Sequence, residues 1–335
     1  MNFKKIFFPV LLCFGIITAL QAGDFSNFYR TGLRKLNSRD YDGALIEFKK
    51  AFNKAELSKE EIRVLLIISD VYYRQKKYKD AKNWALRILD LPDLKLKDKI
   101  NAYRRLINYS IKLKRYDDAL DDVRTALRLV SDNKDKATLF LDRARIFEAE
   151  KKYTEALEAL RDCAKISESI SKQWQVAQQR VIVILYRQKK DQEILKLLPD
   201  LQVDEWNTSS KQIVCYYAGL SAMRMENYKI AINWFERMSD KGHAWLVYSK
   251  NNKLGNSWKK LREYEKAYKC FEAITKNDKL QNYYQGNALY LMAEVRYLQK
   301  KYKDSKLLCE ELKKSPKVSK RQIKRANRLL GRMKK

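Results

Sequence analysis

The sequence is short of the residues on which most enzymes and most sheet proteins depend. Among 335 residues there is one histidine, His243, with 9 Gly and 4 Pro. A single imidazole leaves almost nothing to titrate near neutral pH, which excludes histidine-based hydrolase triads and histidine-rich metal sites. Few Gly and Pro mean few of the turns that sheets and long loops need, so a predominantly helical chain is expected. There is no Gly-rich phosphate loop, His-Glu-x-x-His, Cys-x-x-Cys or Gly-x-Ser-x-Gly. The acidic pairs Asp121/Asp122 and Glu310/Glu311 are consecutive, so on a helix they diverge rather than meet at one substrate bond. Neither catalysis nor a cofactor is expected.

What the chain has in excess is positive charge: 71 Lys+Arg against 41 Asp+Glu, a formal net charge of +30. Little of it lies at the N-terminus. Lys4 and Lys5 precede an apolar run from Ile6 to Leu20, which ends in Leu20-Gln21-Ala22. This is the three-part pattern of a secretory signal peptide, residues 1–22. It implies export to the periplasm or cell envelope, with cleavage near Ala22. The alternative is a membrane anchor formed by residues 6–20, but that run is only 15 residues long and holds Pro9 and Gly15. It is short for a helix crossing about 30 Å of hydrocarbon. Lipid attachment at Cys13 is disfavoured by the bulk of Leu12 and by the apolar run continuing from Phe14 to Leu20. Removing residues 1–22 still leaves +28, so the charge belongs to the folded part.

One short pattern returns along the whole chain. Tyr-x-x-Ala occurs at Tyr41/Ala44, Tyr78/Ala81, Tyr116/Ala119, Tyr153/Ala156, Tyr228/Ala231 and Tyr264/Ala267, with degenerate copies at Tyr302/Ser305 and Asp191/Ile194. Successive spacings from residue 41 are 37, 38, 37, 38, 37, 36 and 38. A large apolar residue usually follows four positions after the Ala, as at Phe48, Val123, Leu160, Phe235 and Phe271. Nine to thirteen positions before the Tyr come small residues such as Gly32, Ala144, Gly219, Gly255 and Ala293. A small residue there, facing the Ala after a polar turn, lets two antiparallel helices approach closely. Each unit therefore reads as a helix–turn–helix hairpin, and units of this size are stable only when stacked.

These residues resemble the tetratricopeptide repeat pattern of small residue, Tyr, Ala, Phe, Ala and a late Pro. The resemblance covers nearly the whole mature chain, with units starting near 25, 62, 100, 137, 175, 212, 248 and 286. It implies an all-α fold: a right-handed superhelical solenoid of about eight repeats over residues 25–315, with a C-terminal capping helix over 316–335. The family unit has 34 residues and these have 36 to 38. The extra length is expected in the second helix or its exit loop, where Pro92 and Pro316 sit. The unit starting at Gln175 has lost its anchor residues, and irregular packing is expected there. In the last segment Ile323, Ala326, Leu329 and Leu330 share one helical face, opposite Lys320, Arg321, Lys324, Arg325 and Arg328. That face could lie on an anionic membrane or nucleic acid, but covering the last repeat is its expected role.

The mature cysteines are Cys163, Cys215, Cys270 and Cys309. Buried free thiols are expected from their positions on apolar faces, and Cys215/Cys270 or Cys270/Cys309 are the pairs that neighbouring units could bring together. His243 is expected to be an ordinary surface or loop residue.

The resemblance also implies where a partner would sit, because the family's first helices line a concave groove. Four residues before each Tyr or its substitute stand Asn37, Arg74, Lys112, Ala149, Arg187, Arg224, Lys260 and Leu298. Five of the eight are cationic, where a chain with 71 Lys+Arg in 335 residues would place fewer than two. Arg104, Asn108 and Lys112 in one unit, and Asn252, Asn256 and Lys260 in another, continue this at i, i+4, i+8 on one helical face. They look like the Lys/Asn clamp with which some family members hold a peptide carboxylate, and Arg145 extends the first cluster. The partner expected is an acidic peptide or protein. The alternative is an anionic envelope polymer or membrane surface, held by an assembly or cell-wall accessory factor. Nucleic acid ranks last, because export removes the chain from most of it.

Overall fold

The computed structural model describes residues 24–240, 244–278, 280, 282–315 and 318–333. The expected signal segment, residues 1–22, lies outside the described residues, and with it His243 and Pro316. Within them the chain forms 17 helices and no strand. It divides into two compact units, Met1–Ser167 and Glu168–Lys335.

The first unit contains four hairpins: α1 (24–37) with α2 (Tyr41–Asn53), α3 (Ser58–Arg74) with α4 (Tyr78–Leu89), α5 (Leu96–Lys112) with α6 (Tyr116–Leu129), and α7 (Asn133–Glu150) with α8 (Tyr153–Ile166). The second contains α9 (Lys172–Arg187) with α10 (Asp191–Leu197), α11 (Thr208–Arg224) with α12 (Tyr228–Glu236), α13 (Ala244–Lys260) with α14 (Tyr264–Thr275), and α15 (Asn282–Leu298) with α16 (Tyr302–Lys314). A seventeenth helix, α17 (Lys320–Arg332), packs on α15 and α16. Every Tyr of the repeat pattern opens the second helix of its hairpin, and Asp191 does so where the Tyr is missing.

Each hairpin turn closes in the same way. Two residues before the Tyr or Asp191 the backbone becomes left-handed, with φ between 56° and 67° at Arg39, Lys76, Lys114, Lys151, Lys189, Glu226, Arg262 and Lys300. The next N–H then reaches five residues back into the first helix, as in Lys77 N to Tyr72 O at 2.9 Å and Lys152 N to Phe147 O at 2.8 Å. This closure satisfies carbonyls that the helix end would otherwise leave bare. Glycine is its usual residue, and none of the eight positions has one.

Packing inside a hairpin follows from residue size. The Ala three positions after each Tyr is fully buried at residues 44, 81, 119, 156, 231 and 267, and Ile194 replaces it in the degenerate unit. Ser305 fills the same place in the last hairpin, and its Oγ donates to the Ala293 carbonyl at 2.7 Å, so the buried hydroxyl is satisfied. The early glycines do not meet these alanines first. A Cβ on Gly32, Gly219 or Gly255 would stand 2.6, 2.5 and 2.6 Å from the ring of Phe48, Phe235 and Phe271, so the close approach is between glycine and phenylalanine.

The extra residues of each repeat also lie elsewhere than expected. The first helices from α3 to α15 have 16 to 18 residues. The second helices have only 7 to 14. The added length is therefore about one more turn at the start of the first helix. The unit that lost its anchors is irregular, with α10 reduced to 7 residues and followed by two 3-10 segments, Leu198–Leu201 and Val203–Glu205. Pro199, with no N–H to offer, interrupts the helical ladder there. Trp206 fills the space left: it is 5% exposed, stacks edge-on against Trp174 and donates Nε1–H to Leu201 O at 2.8 Å.

Candidate functional site

In the first unit, α3, α5 and α7 set side by side a cleft of about 490 Å³. Its lining includes Arg104, Asn108 and Arg145, three of the residues singled out from the sequence, together with Asp70, Arg105 and Asp142, which were not. Arg104 Nε donates to Asp142 Oδ2 at 2.7 Å, and Arg145 Nη1 lies 3.6 Å from Asp142 Oδ1. Asp142 is only 4% exposed, so one buried carboxylate holds two half-exposed guanidiniums. Arg105 pairs with Asp70. Burial opposes the charge on Arg105, but its hydrogen bonds and charge contacts with Asp70 and Tyr109 outweigh that and raise its pKa. Tyr109, 1% exposed, donates to Ser69 Oγ at 3.1 Å and anchors this side of the cleft. Burial raises the Tyr109 pKa as well. Three guanidiniums thus face two carboxylates, a surplus of positive charge with donors still free to turn outward.

The other predicted residues do not join this cleft. Lys112 is exposed at the end of α5 and does not line it. Arg74, Arg187 and Lys260 are exposed as the last residues of α3, α9 and α13. Arg224, which ends α11, is engaged within the chain: it pairs with both carboxylate oxygens of Asp191, donates to Tyr186 O at 3.1 Å and lies 4.1 Å above the Tyr186 ring. All five cations that stand four residues before the Tyr position therefore close a helix. A cation there is favourable against the negative end of the helix dipole, which accounts for much of the enrichment without a ligand.

In the second unit Asn252 and Asn256 belong to a polar ladder. Asn256 Nδ2 donates to Asn252 Oδ1 at 2.6 Å, Asn252 Nδ2 to the Tyr248 hydroxyl at 2.6 Å, and Asn287 Nδ2 to the same hydroxyl at 2.8 Å. Arg325 of α17 completes it, donating to Asn287 Oδ1 at 3.3 Å and lying 3.8 Å over the Tyr290 ring. Most of these amide donors are already committed.

The partners missed from the sequence share one signal: an opposite charge about one repeat away. Asp70/Arg105, Arg104/Asp142, Lys82/Asp118, Asp191/Arg224 and Glu265/Arg296 are separated by 35, 38, 36, 33 and 31 residues. Glu265 accepts from Gln299, Arg296 and Lys301, and these bonds hold its pKa at about 2.

All four described cysteines are free thiols: Cys163, Cys215 and Cys309 are buried and Cys270 partly so. Burial pushes Cys215 up to about 12 and Cys270 and Cys309 to about 11, far from the range of a reactive thiolate. Among the described residues no cluster of His, Cys, Asp and Glu could hold a metal ion. No described helix is long and apolar enough to cross a membrane.

Residues 105–168, which contain α6, α7 and α8, match the family model described as tetratricopeptide repeat. No curated protein matches the chain. Solved structures similar to it include a tetratricopeptide repeat protein from Parabacteroides merdae, with 12% identity, 93% of this chain and 100% of that one covered, and a TM-score of 0.39. The TPR2AB domain of yeast Sti1 in its pHSP90 complex has 12% identity, 94% and 100% coverage and a TM-score of 0.32. The Pseudomonas aeruginosa pilF protein has 15% identity, 76% and 92% coverage and a TM-score of 0.36.

Proposed function

We propose that this chain, a tetratricopeptide-repeat protein, is a non-catalytic binding scaffold of the periplasm or cell envelope that holds an acidic segment of another protein on the first helices of its N-terminal unit. The observation that carries this reading is the sharing of one buried carboxylate, Asp142, between Arg104 and Arg145 at the mouth of the cleft. Asp142 fixes both guanidiniums without satisfying all their donors. An incoming Asp or Glu side chain, or a C-terminal carboxylate, would gain charge-assisted, geometrically directed bonds there. Asn108, on the same lining, offers an amide to the peptide backbone. Export rests on the residue 1–22 pattern.

The experiment is titration of the mature protein with a labelled acidic peptide and with the same peptide carrying Gln and Asn for Glu and Asp. The acidic peptide is expected to bind and the neutral one to bind at least tenfold more weakly. Arg104→Glu with Arg145→Glu should abolish binding, whereas Lys151→Glu with Lys152→Glu, in a hairpin turn of the same unit, should not. Equal loss from the turn pair would reduce the effect to net charge and end the reading.

A further inference from the structure

Helix α17 carries six cations, Lys320, Arg321, Lys324, Arg325, Arg328 and Arg332, and no acidic residue. Among these six only Arg325 makes a hydrogen bond into the rest of the fold, to Asn287, and it lies over the Tyr290 ring, with the charge of Arg332 also felt at Tyr290. The other five are exposed, and no ion pair forms to any of them among the described residues. Lys320, Lys324, Arg328 and Arg332 stand at strict i+4 intervals, which makes a single row with a charge about every 6 Å along the axis. This arrangement runs against the preferences of an isolated helix. Like charges four apart repel, and Lys320 with Arg321 place two cations in the first turn, at the positive end of the dipole.

The helix is nevertheless held firmly. Ser319 and Gln322 form a reciprocal capping box, Gln322 Nε2 donates to Tyr283 O at 2.9 Å, and Ala326 and Leu329 are buried against Leu289, Ala293, Cys309 and Leu312. Because its apolar face is spent on α15 and α16, α17 cannot sink that face into a bilayer as an interfacial helix does. Residues 318–333 contain no aromatic side chain, so the row itself, unlike the exposed Tyr283 beside the start of the helix, offers no ring on which bases could stack. What remains is a rigid line of unneutralised cations.

We infer that the outer face of α17 is a second binding surface, separate from the groove, that takes a linear, base-free phosphodiester polymer along the row Lys320–Lys324–Arg328–Arg332. Each cation meets one phosphate, and binding is driven by release of the polymer's condensed counterions. The inference does not depend on the groove reading, since the two surfaces lie in different units and use different residues.

The test uses the mature full-length chain with poly(glycerol phosphate) as probe, with oligodeoxythymidylate and with vesicles of phosphatidylcholine and phosphatidylglycerol, each over a salt series. Poly(glycerol phosphate) is expected to bind at least as tightly as the oligonucleotide. Replacing Lys320, Lys324, Arg328 and Arg332 by Gln should weaken it at least tenfold and flatten the salt slope by about 0.7 for each cation removed. A control with Lys76, Lys77, Lys114 and Lys151 changed to Gln removes the same charge from hairpin turns and should stay within twofold of the parent. Unchanged binding by the α17 variant, equal loss in the control, or capture of vesicles without capture of the polymer would each overturn the inference. Far-UV helicity confirms that both variants fold.

Discussion

Gly219 lies against the ring of Phe235 so closely that a Cβ on it would stand 2.5 Å from Phe235 Cε1. Gly32 with Phe48 and Gly255 with Phe271 repeat the relationship, each pair 16 residues apart in one hairpin. In the five hairpins without the Phe, the two places are filled by Ser69 and Ala85, Ile107 and Val123, Ala144 and Leu160, Ile182 and Leu198, and Ala293 and Cys309, all buried. Where the second helix carries Phe, the first gives up its side chain altogether.

Gly219→Ala sets two opposing effects against each other. Ala gains about 1 kcal/mol over Gly in helix propensity, but a contact under 3 Å with a buried ring forces overpacking that costs about 1–3 kcal/mol. Net destabilisation is expected in urea unfolding, and Phe235→Leu in the same chain should relieve part of it. Gly331 is the control: a Cβ there meets nothing within 4 Å, so Gly331→Ala should stabilise the protein.

Lys151 adopts φ 67° as the turn residue between α7 and α8. A left-handed conformation costs a residue with a Cβ roughly 1–2 kcal/mol. Lys151→Gly is therefore expected to raise the midpoint of thermal unfolding, less the cost of glycine's greater freedom in the unfolded chain. A lowered midpoint would mean that the lysine side chain supplies a contact worth more than the strain.

Asp122, on α6, has one buried carboxylate oxygen without a hydrogen-bond partner, and burial raises its pKa to about 6. Lys82 opposes this, while Asp118 and Asp121 add to it. The folded state therefore holds this proton more tightly than the unfolded state. The stability it contributes is fully present below the usual carboxylate pKa and is lost as pH rises through about 6. Asp122→Asn should be more stable than the parent near neutral pH, with the gap closing as the pH falls from about 6 to about 4. A constant gap across that window would assign the effect to packing.

Arg224 and Arg187 occupy equivalent places in adjacent hairpins, but only Arg224 holds a carboxylate. Arg224→Met should destabilise the chain by about 1–3 kcal/mol, because it leaves the 9% exposed Asp191 unpaired. Arg187→Met, at an exposed site, should stay within about 0.5 kcal/mol of the parent.

The hairpins were legible because Tyr-x-x-Ala reports a packing need that recurs in every one of them, whatever the surface does. The extra turn at the start of the first helices from α3 to α15 was not, since the pattern is anchored at the turn between helices and says nothing about the far end. The cleft was half legible. Arg104 and Asn108 were found by counting along one helix, which cannot see Asp142 on the next. Asp142 looks like any acidic residue until α5 and α7 are placed side by side. Arg224 was half legible for a related reason: its position marks a helix end, and its partner Asp191 stands in the one unit where the Tyr is missing.

The two kinds of contact divide the labour in a way that bears on how such a chain can change. The glycine–phenylalanine contact lies within a hairpin, while the same rings also pack on the next one: Phe271 shares a core with Ala288, Leu291, Met292 and Val295 of α15. The ion pairs about one repeat apart belong to the seams. Moving a hairpin would carry its internal glycine–phenylalanine contact along and strand its charges, as with Arg224 away from Asp191. Duplication or reshuffling of repeats is therefore electrostatically marked, and mismatched seam charges are where the traces of such events should be sought.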